Sequence, residues 1–113
     1  MARESKAERP VKKNEFEIRF ASGQAQKGWT DLRATNRNAL ADAWDFLTRT
    51  PLHVTPANYR LKGQLGLVTR GQATHERWQH KPTLHGDARI WFYVVDQIVY
   101  LEQVHTHHPN ATK

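Results

Sequence analysis

Histidine and arginine crowd the last third of this 113-residue chain. Six of its seven histidines, His75, His80, His85, His105, His107 and His108, lie beyond residue 61. Among them stand Lys62, Arg70, Arg77, Lys81 and Arg89, interleaved with Trp78, Trp91, Tyr93 and Tyr100. That mixture suits single-stranded RNA, whose bases stack on aromatic or guanidinium planes while Lys and Arg hold phosphates. The histidines suit a further step. Cleaving RNA by its own 2′-hydroxyl needs a base, an acid for the departing 5′-oxygen, and a cation facing the phosphoryl charge. Histidine titrates near working pH and fits either proton role. Arginine fits the third, because its fork matches two phosphate oxygens. The His105–His108 cluster also has the imidazoles of a Zn or Ni site, but no compelling carboxylate or thiolate partner. A frayed C-terminus is another reading of it. No metal or organic cofactor is expected.

Positioning such groups takes a sheet. Val94–Val95 and Ile98–Leu101, split by Asp96–Gln97, form one hairpin signal. Leu65–Thr69 and Thr74–Lys81, flanking Arg70–Gly71–Gln72, form a second. In Arg89–Val95, alternation places Arg89, Trp91, Tyr93 and Val95 on one face. The apolar set Ile90, Phe92 and Val94 faces the other way, toward the helices. In Thr74–Lys81, alternation sets Glu76, Trp78 and His80 against His75, Arg77, Gln79 and Lys81. Strict alternation through 98–105 groups Glu102 with Val104 and Gln103 with His105.

Upstream, Glu15–Ala21 alternates as a half-buried strand. Ser22 caps a helix to about Ala34, with Ala25, Trp29 and Leu32 as its apolar stripe. Thr35 or Asn36 caps a second, Arg37–Thr48, striped by Leu40, Trp44 and Leu47 and ended by Pro51. Trp29 and Trp44 read as core packing. Leu52–Tyr59 reads as a surface connector. The expected fold is α+β: an N-terminal strand, a helical hairpin, then a four-stranded mostly antiparallel sheet with one face free. Residues 1–13 read as a basic, flexible leader and 14–113 as a single domain.

Charge follows the same division. Residues 57–89 carry six Lys/Arg against Glu76 and Asp87, a net +4 within a total of +6. A polyanion surface is one reading, and an acidic protein partner another. Cysteine is absent, which removes disulfides and thiol chemistry. No apolar run spans a membrane and no signal-peptide core is present, so the expected location is the cytoplasm, away from membranes.

The order strand, helical hairpin, Leu61–Lys62–Gly63, then a sheet holding Ala88–Arg89–Ile90–Trp91–Phe92–Tyr93–Val94 and ending Gln103–Val104–His105–Thr106–His107–His108, resembles the RelE/ParE superfamily of bacterial toxins. The RelE and YoeB branch is the nearest match, over roughly residues 15–108. The resemblance implies a basic toxin of a type II toxin–antitoxin system. Such a toxin enters the ribosome, cuts mRNA as an endoribonuclease, and is held between stresses by an acidic cognate antitoxin. It implies that Arg89 contacts the scissile phosphate and that His107 transfers a proton, with Glu76, on the strand after Leu61–Lys62–Gly63, as the only nearby carboxylate to substitute for the family's glutamate. RNA contacts then fall to Lys62, Arg70, His75, Arg77, Lys81, His105 and His108. This chain departs from the pattern in placing His108 where the family has Tyr, in lacking the YoeB-type glutamate before Leu61, and in a longer Thr74–Leu84 segment. Two alternatives stand beside the nuclease: a ParE-like inhibitor of DNA gyrase, and a non-catalytic RNA- or protein-binding module on the same fold.

Overall fold

The computed structural model describes residues 6–107. An N-terminal strand, a helical hairpin and a mostly antiparallel sheet follow one another in the expected order, with a small hairpin folded separately. The elements are β1 (Glu17–Phe20), α1 (Gly23–Thr35), α2 (Arg37–Arg49), β2 (Asn58–Arg60), β3 (Leu67–Arg70), β4 (Ala73–Glu76), β5 (Trp78–His80), β6 (Arg89–Val95) and β7 (Ile98–His105). The main sheet runs β1-β7-β6-β5-β2, and β3-β4 form the second. β1 lies parallel to β7, and the other pairs are antiparallel.

The helices begin and end where their residue chemistry directs. Ser22 Oγ accepts the Ala25 N–H at 3.0 Å, a side-chain N-cap for α1. Ala25 and Leu32 of α1, with Leu40, Ala43 and Leu47 of α2, are buried against one face of the sheet. There they meet Ile90, Phe92, Val99, Leu101 and Val104. Fully burying each of the larger side chains contributes about 1.5–3 kcal/mol. Trp29 and Trp44 are half-buried instead. They line a groove of about 620 Å³ between the helices and β1. Gly28 lets α1 touch β7 directly, since a Cβ there would stand 1.9 Å from the Val104 carbonyl oxygen.

Three sequence expectations shift. The run Thr74–Lys81 divides at Arg77 into β4 and β5. The Arg77 N–H bonds Gly66 O and its carbonyl accepts from Leu61, both at 3.0 Å, so its backbone leaves both ladders. Leu65 falls in a 3₁₀ turn, Gly63–Gly66, and β3 begins two residues later. The connector ends in β2, an edge strand pairing with β5. The hairpin turns hold. Asp96 takes φ +54° in the β6–β7 turn, and Gly71 φ +62° between β3 and β4.

The leader is fastened where it is described. Arg9 forms two 3.0 Å bonds to the Glu15 carboxylate and lies 4.8 Å from the Trp44 ring centroid.

Candidate functional site

The helices cover one face of the sheet, and the polar and aromatic residues of β5, β6 and β7 share the other. They stand in rows set by strand register. Tyr59, Gln79, Trp91 and Gln103 are successive cross-strand partners. Trp91 Nε1 donates to Gln79 Oε1 at 2.9 Å, and Gln79 Nε2 donates to the Tyr59 hydroxyl at 2.9 Å. The next row toward the strand ends holds Arg89 directly opposite His105. Lys81 follows His80, which pairs with Ile90, so it extends that row on the β5 side. Its Nζ stands 5.4 Å from the centre of the Tyr59 ring. Two cations and an imidazole therefore share one end of the face.

A bulge in β7 gives the face its second motif. Trp91 pairs with Gln103 but Phe92 with Leu101, which leaves Glu102 without a partner on β6. Three groups of the β1–α1 segment hold the bulged stretch: Ala21 N–H bonds Leu101 O, Ser22 Oγ bonds Glu102 O, and the Gln24 amide bonds both N–H and C=O of Val104. Val104 therefore turns into the core while Glu102 and Gln103 turn out. This corrects the grouping of Glu102 with Val104 that strict alternation gives. Two adjacent polar residues inside an otherwise alternating strand were the available signal of a bulge. Glu102, at 5% exposure, then receives Arg77 through two 2.7 Å bonds, and Arg70 reaches it at 3.7 Å. The Arg77 guanidinium also lies 5.0 Å from the Trp91 ring centre.

Arg89 has no such partner. It is 7% exposed, its Nη1 donates to the carbonyls of Gly86 (2.7 Å) and Ala88 (2.8 Å), and its buried Nε bonds nothing. No carboxylate lies within ion-pair distance of it among the described residues. A buried cation satisfied only by neutral carbonyls retains its full attraction for an anion.

The imidazoles differ in setting. His105 is half-buried, with its Nε2 2.7 Å from Gln103 Oε1 and its ring edge-on to Trp91 at 5.6 Å. Burial pushes its pKa down, and Glu102 partly opposes that shift. His107 is exposed and lines a groove of about 610 Å³ with Asp31, Thr83, Gly86, Asp87 and Thr106. His80 points the other way, into the helical layer. It bonds Asn58 Oδ1 at 3.1 Å and lies against Phe46, and desolvation lowers its pKa to about 4.

The sequence-derived site residues thus fall into two groups. Arg89, His105 and Lys81 share one row, Arg77 sits one layer in, and His107 follows two residues beyond His105. His75 and Glu76 lie apart from that row, while Arg70 reaches back to Glu102 beside Arg77. Glu76 is exposed and pairs with Arg60 at 3.5 Å. His75 stacks on Tyr93 at 4.8 Å, and Tyr93 on Tyr100 at 5.2 Å. Tyr93 is four residues from Arg89, about 13 Å along an extended strand. The fold does not bring Glu76 to Arg89 and His107. Lys62 precedes the 3₁₀ turn, and Arg70 sits at the tip of the small hairpin. His108 lies outside the described residues. Gln79, Gln103, Tyr59 and Glu102, which build the face, were not singled out by residue type.

No helix among the described residues is long and apolar enough to cross a membrane. No family model matches the chain, and no curated protein or solved structure is detectably similar to it.

Proposed function

We propose that this protein is an RNA-cleaving toxin that acts on mRNA in the translating ribosome and is restrained by an acidic antitoxin. The observation that carries the reading is Arg89: a buried guanidinium, without a carboxylate among the described residues, in a row with a second cation and an imidazole. A phosphodiester supplies the missing negative charge. Among the described residues Nη2 has no hydrogen-bond partner, so one arm of the guanidinium is free for a phosphate oxygen. The family resemblance in strand order and in the Arg-Ile-Trp-Phe-Tyr-Val strand supports the same reading.

In the reaction, the ribose 2′-oxygen forms a bond to phosphorus as the bond from phosphorus to the 5′-oxygen breaks. The products are a 2′,3′-cyclic phosphate and a 5′-hydroxyl. Arg89 offsets the charge that builds on the non-bridging oxygens. An imidazole at the strand end returns a proton to the leaving oxygen, a role this reading gives to His107. Lys81 holds a neighbouring phosphate, and Lys62 and Arg70 extend the basic track. Arg77 supports Trp91 and Glu102. Glu76, paired with Arg60, takes no part in proton transfer.

The test is to induce the chain without any partner protein and to map mRNA 5′ ends, beside an Arg89→Ala control. The expected result is new cuts at codon-phased positions that vanish in the control. Growth arrest without cuts would replace this reading with gyrase inhibition, read by a supercoiling assay. Neither arrest nor cuts would leave a basic binding module.

A further inference from the structure

The geometry points to His105 as the group that takes the 2′-hydroxyl proton, with Gln103 as the residue that fixes its tautomer. The inference rests on the RNA-cleavage reading above and separates the two proton roles, acid and base, that the resemblance leaves together on His107.

Placement is the first argument. His105 is the direct cross-strand partner of Arg89. Side chains so paired start about 5 Å apart. A phosphate held by Arg89 therefore brings its ribose within reach of the His105 ring.

Fixation is the second. The Gln103 amide oxygen can only accept, so the 2.7 Å contact places the imidazole hydrogen on Nε2 and leaves Nδ1 with its lone pair. Trp91 packs edge-on against the ring and is itself held by Gln79 and Arg77. His107, past the end of the strand and exposed, has no comparable support among the described residues.

Protonation state is the third. The charged and titratable groups around His105 are Arg89 across the ladder, Lys81 beyond it, Arg77 and Glu102 behind Trp91, and His107 further along the chain. Burial lowers its pKa and Glu102 partly opposes, a balance that favours the neutral, proton-accepting ring. The proton passes from O2′ to Nδ1 as the oxygen–phosphorus bond forms. His107 supplies the proton that the 5′-oxygen takes up, which leaves the count of protons balanced.

The experiment uses the purified full chain in a translating extract, with cuts read by 5′-end mapping. His105→Ala is expected to slow cutting about a hundredfold or more, and added imidazole to restore part of it. Gln103→Glu places an anion on Nε2 and should move the acid limb of the pH–rate profile to higher pH. His105→Gln is made alongside, and thermal melting verifies that both His105 variants fold. If His105→Ala cuts at the parental rate while Arg89→Ala is inactive, the role of His105 is overturned and the nuclease reading survives. If the acid limb stays in place in Gln103→Glu, the role of Gln103 falls. If the parent chain makes no cuts, the nuclease reading and this inference fall together.

Discussion

Arg77 and Arg89 both stand on the open face of one sheet, and they are used in opposite ways. Arg77 has a fork-to-fork pair with Glu102 and an aromatic ring beneath it. Arg89 has two backbone carbonyls and an unmatched Nε. The first charge is neutralised within the protein and serves to hold the β7 bulge and the turn before β5. The second is buried without an anion, a cost that stability alone does not explain. The two residue types are identical, so what separates a building arginine from a binding one is whether the fold supplies a carboxylate.

The sharpest way to break that contrast is Glu102→Ala. It would leave Arg77 buried and unpaired, and denaturant unfolding should show a loss of about 3–5 kcal/mol. Arg89→Ala should do the reverse. Cutting should fall about 100- to 1000-fold, the scale of losing one charge-stabilising donor. The unfolding midpoint should change little, because only two carbonyl bonds are lost. Arg89→Lys, which keeps the charge and loses the fork, should recover only part of the activity.

His80 sharpens the comparison from the covered face, where a buried polar ring has a neutral partner in Asn58. Its folded pKa, about 4, lies below the unfolded value near 6.5. The neutral ring is therefore favoured by the fold. The associated stability is present in full above pH 6.5 and is lost as pH falls toward 4, with a total of about 3 kcal/mol. Denaturant unfolding at stepped pH measures it, and His80→Gln should flatten the slope. The smallest effect is expected on the leader. Arg9 and Lys12 hold the Glu15 carboxyl down at about 2. In Arg9→Ala the Glu15 titration, followed by NMR, should move up toward the ordinary carboxylate range.

Much of this was legible in the residues. The apolar stripes of both helices, the Ser22 cap and the in–out division of β6 follow from period and residue type. So does the placement of Arg89 beside Trp91. What was hidden is what depends on distant partners. The division of Thr74–Lys81 at Arg77 needs Gly66 and Leu61. The reversal of Glu102 and Val104 needs Ser22 and Gln24, some eighty positions earlier in the chain. Glu76 looked like a site residue because it is the carboxylate on the strand after Leu61–Lys62–Gly63, whereas in the fold it is exposed and pairs with Arg60. The carboxylate that does build the face, Glu102, lies on the strand that reads most plainly as structural.

The parallel contact of β1 with β7 has a consequence in time. β7 lies between β1 and β6, so both neighbours must await it, and β1 waits through nearly the whole length of the chain. Such a topology has high contact order and condenses slowly. During synthesis, the helical hairpin emerges with its apolar stripe uncovered until residues 98–105 leave the exit tunnel. The row containing Arg89 and His105 comes into being with that last strand. A nascent chain of this protein is therefore without its site until β7 has emerged.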